Sequence, residues 1–316
     1  MKPTVLTVTF NPSLDKTIVL DELRIGSLNR ARQVRLDPGG KGINVAKLLH
    51  DFQLPVVAAG LYGGDEGNEL AKLLRTTGLT VDFLQVAGRT RTNLKIVDAS
   101  AKTTTEINEP GAEISPRDLQ AVMDRIRDNL KGATHLVLAG SLPPGVPASV
   151  YAELIRAAKN SNIITVLDAD GDALKQGVSA GPYALKPNIH ELEQWSGKSL
   201  KSDEEIVAAG REMIANGVSL ILVSMGEKGS IAINETETFR VRPFPITIKS
   251  SVGAGDSMVA ALIYCMLNGK SLKETAAITS AAGTLTASKE GTQVCSLSEV
   301  LEHVHLVSVQ PISNNK

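Results

Sequence analysis

The sequence predicts an α/β fold with a central, mostly parallel sheet covered by helices on both faces. Three observations predict it. Short β-branched runs alternate with longer amphipathic segments along most of the 316 residues, as strands joined by helical crossovers do. Apolar residues make up 42% of the chain and aromatic residues 3%, so the core is mostly aliphatic, which suits helices layered on a sheet. Five glycine-bearing turns fall at or just beyond predicted strands or open helices, where open sheets of this class bind ligands.

In chain order, strands are expected at 4–10, 56–63, 135–140, 163–169, 183–188 and 219–225. Helices are expected at 43–53, 67–77, 116–130, 148–160, 189–196, 203–217, 255–268 and 272–288. Two segments break the alternation. Residues 12–37 and 88–109 alternate polar and apolar side chains and are rich in Thr, Val and Ile, so they are expected to be strands with one wet face. Together they form a small, discontinuous lid on a core made of 1–11, 38–87 and 110–316. An isolated small sheet with an apolar face needs a partner, so a homodimer is expected. The tail "QPISNNK" (310–316) is expected to be loose.

The balance of 33 basic and 34 acidic residues, net −1, gives no basic footprint for nucleic acid. Cys265 and Cys295 make no disulfide framework; Cys265, inside an apolar helix, is expected to be a buried thiol in a reducing compartment. The opening "MKPTVLTVTF" alternates like a strand rather than a secretory signal. The longest apolar run, 259–267, falls short of the roughly 18 residues a membrane span needs. A cytoplasmic protein with no membrane partner is expected.

In "PGGKGINVAKLL" (38–49), Gly39, Gly40 and Gly42 open a helix whose first amides can approach an anion. Lys41 adds a charge and Asn44 a polar group; a plain glycine-rich helix entry is the competing reading. In "GSLPPG" (140–145), Ser141 is either a substrate contact or part of a simple turn. In "KPNIHELE" (186–193), Pro187 keeps Lys186 extended. Asn188 and Glu191 either form a capping box or face a hydrated Mg²⁺, which takes oxygen ligands and retains waters. His190 is expected at the surface. In "SMGEKGS" (224–230), Gly226 and Gly229 suit a turn beside a ligand or an ordinary hairpin.

The sharpest question lies in "SVGAGDSMVAALIYCM" (251–266). Gly253 and Gly255 flank Ala254 at the start of a very apolar helix, where unpaired amides and the helix dipole attract anions. The same field favours an ionised Asp256, ready to accept a proton; a helix N-cap is the competing role. Neither a G-x-G-x-x-G dinucleotide fingerprint after a strand nor a P-loop is present, which argues against a dinucleotide-dependent oxidoreductase.

Taken together, "NPSLD" (11–15), "GGKGINVA" (39–46), "TRTN" (90–93), "GSLPPG", "KPNIHELE", "SMGEKG" and "VGAGDSMVAALIY" resemble, in order and spacing, the ribokinase-like sugar kinases. The similarity is to the PfkB branch, which phosphorylates sugar phosphates. It implies a three-layer αβα sandwich whose β-lid covers the sugar and often joins two subunits. By this resemblance Asp256 is the catalytic base, and Gly253, Ala254 and Gly255 form the anion hole. Asp15 binds sugar hydroxyls; Gly39, Gly40, Lys41, Asn44 and Asn93 line the sugar-phosphate pocket; Arg91, with Lys41, clamps the phosphate near Ser141. Lys186 and Asn188 contact the nucleotide or metal-bound water, and Glu191 faces Mg²⁺. Ser224, Gly226 and Gly229 lie along the nucleotide, as does Ser251, which stands where the family usually has threonine; Gly283 belongs to the adenine side. Ser250, Val252 and Gly291 stand where some relatives bind K⁺. The implied cofactors are ATP and Mg²⁺, with K⁺ in some relatives. "GSLNRA" (26–31) and "GGKGIN" look more like 1-phosphofructokinases and tagatose-6-phosphate kinases than minor 6-phosphofructokinases. Fructose 1-phosphate is the leading substrate, and a catalytically silent sugar-phosphate sensor is the non-enzyme alternative.

Overall fold

The first strand, β1 (Val5–Thr9), is buried along its whole length, which places it inside a sheet covered on both faces. The computed structural model describes residues 4–291 and 293–313. After β1 come β2 (Ser13–Leu20), β3 (Gln33–Gly39), α1 (Lys41–Asp51), β4 (Val56–Tyr62), α2 (Gly64–Thr76) and β5 (Thr80–Gln85). β6 (Arg91–Asp98), β7 (Thr103–Ile107), α3 (Pro116–Leu130), β8 (His135–Ala139), α4 (Val150–Asn160) and β9 (Ile164–Asp168) follow. Next are α5 (Gly171–Ser179), β10 (Ala184–Leu185), α6 (Ile189–Ser196), α7 (Asp203–Ala215), β11 (Leu220–Ser224), β12 (Ser230–Asn234) and β13 (Thr238–Arg242). The chain closes with α8 (Ala254–Leu267), α9 (Leu272–Ala287), α10 (Leu297–His303) and β14 (Ser308–Pro311).

The main sheet has the order β14-β13-β12-β11-β10-β9-β8-β1-β4-β5. From β11 to β5 every pairing is parallel; β12, β13 and β14 add an antiparallel meander at one edge. Two aliphatic cores lie on opposite faces. Residues of α3 to α7 pack on one side, with Leu6, Val8, Leu136 and Leu138. Residues of α1, α2, α8, α9 and α10 pack on the other, with Val5, Val137 and Val166. This is the expected three-layer sandwich.

The strand expected at 183–188 shortens to β10, because Pro187 has no amide to continue the ladder. The tail was expected to be loose, but Gln310 and Pro311 pair with β13 as part of β14; residues 314–316 lie outside the described residues.

Segments 12–37 and 88–109 form a second sheet of order β3-β2-β6-β7. Residues opposite one another in register share a face. Ser13, Asp15 and Thr17 therefore stand beside Arg91, Asn93 and Lys95. On the other face are Leu14, Ile18, Val34, Leu36, Leu94 and Ile107. The polar face is the covered one: Ser13, Asp15, Thr17, Asn93 and Lys95 are buried, while Val34, Leu36 and Ile107 are exposed. The small sheet thus turns its polar side inward.

Candidate active site

Chain order reverses at β1, with β4 and β5 on one side and β8, β9, β10 and β11 on the other. Such a switch point opens a crevice outside the carboxyl ends of the strands. Here those ends lead into Asn11 after β1, Ser141 after β8, Asp168 at the end of β9 and Lys186 after β10.

Gly253 caps α8 with φ +78° and no side-chain cap bond, a left-handed conformation glycine adopts without steric cost. Asp256 lies in the first turn rather than at the cap. It is buried, and its Oδ2 accepts a 2.8 Å hydrogen bond from Nδ2 of Asn44 on α1. The capping role is thereby excluded. The amides of Gly255 and Asp256 precede the first helical bond, from Ser257 N to the Gly253 carbonyl at 2.8 Å, so they can meet an anion. Ala254 begins the helix between them and Gly253. The buried Lys186 adds charge here: its Nζ is 3.3 Å from where a Cβ on Gly255 would lie.

Asp168, which the sequence reading did not single out, organises this pole. It is 1% exposed, and its Oδ1 accepts a 2.9 Å bond from Lys41 Nζ while Oδ2 lies 3.6 Å from Lys186 Nζ. Burial favours its neutral form, but Lys186 and Lys41 outweigh that and hold its pKa below the usual aspartate range. Lys41 also approaches Glu191, at 3.8 Å. Burial opposes its charge, yet Asp168 and Glu191 hold its pKa above the ordinary lysine value. Lys41 therefore joins the carboxylates around the α8 N-terminus. For Asp256, burial and the nearby Asp168 raise the pKa against the pull of Lys41, Asn44 and Lys186. The expectation that the helix field favours the ionised carboxylate is corrected, because desolvation is the larger effect.

Asn188 and Glu191 form a complete capping box at α6, Asn188 Oδ1 accepting from Glu191 N at 2.9 Å and Asn188 N donating to Glu191 Oε2 at 2.8 Å. The other carboxylate oxygen of Glu191 is the one near Lys41, so the residue serves both cap and cleft. His190 is at the surface. Among the described residues no three His, Cys, Asp or Glu side chains are grouped as a metal cage. Asp168 Oδ2 has no hydrogen-bond partner, and Glu191 offers one oxygen. That pair suits a cation that keeps most of its own waters.

Under the small sheet, Asp15 Oδ1 accepts from Ser13 Oγ at 2.7 Å and Asn93 Nδ2 at 3.2 Å, and Oδ2 pairs with Lys95 Nζ at 2.7 Å. A Cβ on Gly39 would lie 2.5 Å from this carboxylate, so glycine is required there. Gly40, φ +115°, is the cap of α1. Arg91 donates to the carbonyls of Glu109 at 3.1 Å and Asn11 at 3.0 Å. Asn11 in turn donates to Ser141 Oγ at 3.2 Å and the Pro110 carbonyl at 3.0 Å. Asn11 is a further residue the earlier assignment missed, although it opens the quoted "NPSLD". Burial lowers the Arg91 pKa against Asp15 and Glu109. Thr9 Oγ1, Thr17 Oγ1, Asn93 Oδ1 and Arg91 Nε are buried without partners. Such a concentration of unsatisfied atoms calls for a polar ligand or water.

On the far side, Ser224 bridges Asn188, and its amide donates to the Pro187 carbonyl at 3.0 Å. Gly226 and Gly229 bound the turn of the β11–β12 hairpin. Ser251 is exposed, and the buried Ser250 accepts from Val252 N at 3.2 Å. This loop meets Gly291's loop through Lys249 and Glu290, 3.3 Å apart. Gly283 is buried, with its missing Cβ leaving room for Met258 at 3.0 Å; its observed role is close packing of α9 on α8.

Residues 8–299 match the family model described as pfkB family carbohydrate kinase. The chain belongs to the pfkB family of carbohydrate kinases. A kinase of this kind moves a phosphoryl group from ATP to a sugar hydroxyl and works with a metal. The chain is 41% identical over 267 residues to 1-phosphofructokinase of Xanthomonas campestris pv. campestris, covering 83% of this chain and 84% of that one. It superposes on a possible 1-phosphofructokinase of Thermotoga maritima with TM-score 0.91 at 28% identity, over 98% and 100% of the two chains. It also superposes on Escherichia coli phosphofructokinase-2 in complex with potassium, with TM-score 0.89 at 27% identity, over 96% and 99%. These pfkB relatives span nearly the same length as this chain. Among the described residues no helix is long and apolar enough to cross a membrane.

Proposed function

We propose that this kinase phosphorylates fructose 1-phosphate on its free primary hydroxyl, giving fructose 1,6-bisphosphate, with Mg·ATP as donor. The observation that carries the reading is Asp256, a buried first-turn carboxylate that caps nothing and is oriented by Asn44. Asp256 accepts the hydroxyl proton as the oxygen attacks. The amides of Gly255 and Asp256, presented by the turn through Gly253 and Ala254, act with Lys186 and Lys41 to stabilise charge on the transferring phosphoryl, where preorganised donors contribute most. The raised pKa of Asp256 brings a carboxylate closer to working pH, which suits a general base.

Arg91 holds the substrate's phosphate, supported by a half-buried guanidinium that the Glu109 and Asn11 carbonyls hold in place while its Nε is left without a partner; Ser141 and Asn11 flank it. Asp15 and Asn93 take sugar hydroxyls. Glu191 and Asp168, with Asn188 beside them, would hold Mg²⁺ through water. The ion, when bound, neutralises charge on the transferring phosphate. Ser224, Gly226, Gly229 and Ser251 line the nucleotide side, while Ser250, Val252 and Gly291 in adjoining loops are the K⁺ candidates. Residues 12–37 and 88–109 act as one lid, closing water out of the cleft.

A homodimer through the lid is supported by the exposed Val34, Leu36 and Ile107 on the outer face. A cytoplasmic setting is supported by two buried free cysteines. The deciding experiment measures kcat/KM with Mg·ATP for fructose 1-phosphate, tagatose 6-phosphate and fructose 6-phosphate. A preference of at least ~100-fold for fructose 1-phosphate, about 2.7 kcal/mol in the transition state, is expected. Preference for either 6-phosphate overturns the substrate assignment, and no turnover on any overturns the enzyme reading in favour of a sensor.

A further inference from the structure

We infer that Lys95 is a positioning residue for the sugar: it fixes the Asp15 carboxylate so that one acceptor site remains for one substrate hydroxyl. The inference rests on the reading of Asp15 as a sugar contact.

Asp15 and Lys95 face each other on the covered side of the lid, and their side chains are 9% and 8% exposed. The parallel register sets Asp15 opposite Asn93 and Thr17 opposite Lys95, so the ammonium reaches diagonally to Oδ2 at 2.7 Å. Ser13 and Asn93 occupy Oδ1. A carboxylate offers about four acceptor positions; three are filled here, and the fourth is on Oδ2, the oxygen Lys95 holds. Gly39 closes the remaining side, since even a methyl would lie 2.5 Å from the carboxylate. The side chain is thus braced by charge, by two neutral donors and by backbone proximity. Beside it, Asn93 Oδ1 and Thr17 Oγ1 are buried without partners, ready to meet further polar groups of a ligand.

A purely structural ion pair would be expected to tie elements together for stability. This one joins two strands already paired along eight residues each, and burying it costs desolvation that a well-packed apolar pair avoids. A charged pair at this position has a use if the carboxylate must stay ionised and in one orientation for a ligand. Burial lowers the pKa of Lys47 on α1, against the pull of Asp37, Asp15 and Asp51, so a second ammonium lies within electrostatic reach of Asp15.

The test uses wild type, Lys95→Met, Lys95→Arg, Asp15→Asn and the double variant Lys95→Met/Asp15→Asn. The substrate is whichever ketohexose phosphate gives the highest wild-type kcat/KM, so failure of the fructose 1-phosphate assignment is read separately. Lys95→Met is expected to raise KM for the sugar phosphate at least 10-fold, with kcat and the KM for ATP within about 3-fold of wild type; ~10-fold corresponds to about 1.4 kcal/mol. Lys95→Arg is expected to recover most of that loss. Adding Lys95→Met to Asp15→Asn is expected to change KM less than 2-fold, because no carboxylate remains to position. The double variant also leaves no uncompensated buried charge, so it remains informative if Lys95→Met alone fails to fold. An unchanged KM in Lys95→Met overturns the inference. So does an undiminished effect in the Asp15→Asn background, which would mean that Lys95 binds substrate itself. A normal KM in Asp15→Asn would overturn the underlying role of Asp15.

Discussion

Asn44 on α1 donates a 2.8 Å hydrogen bond to Asp256 on α8, joining residues 212 positions apart in the chain into one unit. Asp256→Asn is expected to cut kcat at least ~10²-fold, the lower end for a positioned general base. Asn44→Ala, which removes one hydrogen bond to a charged group, is expected to lower kcat about 10-fold, in line with the roughly 1.5–3 kcal/mol such bonds contribute. A kinase assay with folding checked by circular dichroism measures both. Near-wild-type turnover in Asp256→Asn would return that residue to a structural role.

The same carboxylate gives a stability prediction with a definite sign. Its pKa is raised in the folded state, so the native protein binds more protons than the unfolded chain between the two values. Stability is then lost as pH rises through that window and the full penalty applies above it. Asp256→Asn removes the penalty. Its Tm is expected to exceed wild type at pH 7 and the excess to shrink as pH falls toward the unfolded value of about 3.9. Scans from pH 4.5 to 8 check this; a Tm deficit for the variant at pH 7 would contradict it.

Lys41 and Arg91 separate the two poles of the cleft. Arg91→Ala is expected to raise KM for the sugar phosphate at least ~10-fold with the KM for ATP unchanged, as loss of a charge-assisted contact implies. Lys41→Met, by contrast, is expected to lower kcat at least ~10-fold while changing the sugar-phosphate KM less than about 3-fold, since an interaction confined to the transition state appears in kcat. The opposite assignment of the two effects would place Lys41 with Arg91 on the sugar phosphate.

Asp168→Ala leaves the buried Lys186 without its carboxylate. Removing one member of a buried pair typically costs about 3 kcal/mol or more, so urea unfolding is expected to show a loss of that order. A midpoint unchanged from wild type would mean that Asp168 is dispensable to the fold.

Much of this was legible in the sequence, because aliphatic strands alternating with amphipathic helices announce a layered sheet. The glycines beside Asp256 raised the question of its role, but the resemblance carried by the ordered motifs, "TRTN" among them, pointed to Asp256 as base and to Arg91 as phosphate clamp. Asp168 did not stand out, because its signal is positional: it ends a buried strand, and its partners Lys41 and Lys186 lie far away in sequence. The meeting of Lys41 with Asp168 was hidden for the same reason, since sequence spacing put Lys41 beside Asn44 and did not point to Asp168. Lys95 escaped notice within an alternating strand, where its register with Thr17 and its diagonal reach to Asp15 appear only in three dimensions. β5 was overlooked because it is nowhere fully buried and so lacks an unbroken apolar run, and α5 because it begins with Gly171 and contains Gly177, a poor helix former retained where a Cβ would lie 2.4 Å from Leu167.

The strand β14 has a practical consequence. It covers β13, whose amides and carbonyls would otherwise form an open template for another chain, and ends in Pro311, which lacks a donor of its own. Deleting residues from 308 onward should therefore leave the catalytic cleft intact but create a sticky border, and such a truncation is expected to aggregate on concentration. Keeping Ser308–Pro311 in place keeps β13 covered, so any shortened form of the protein is better cut elsewhere.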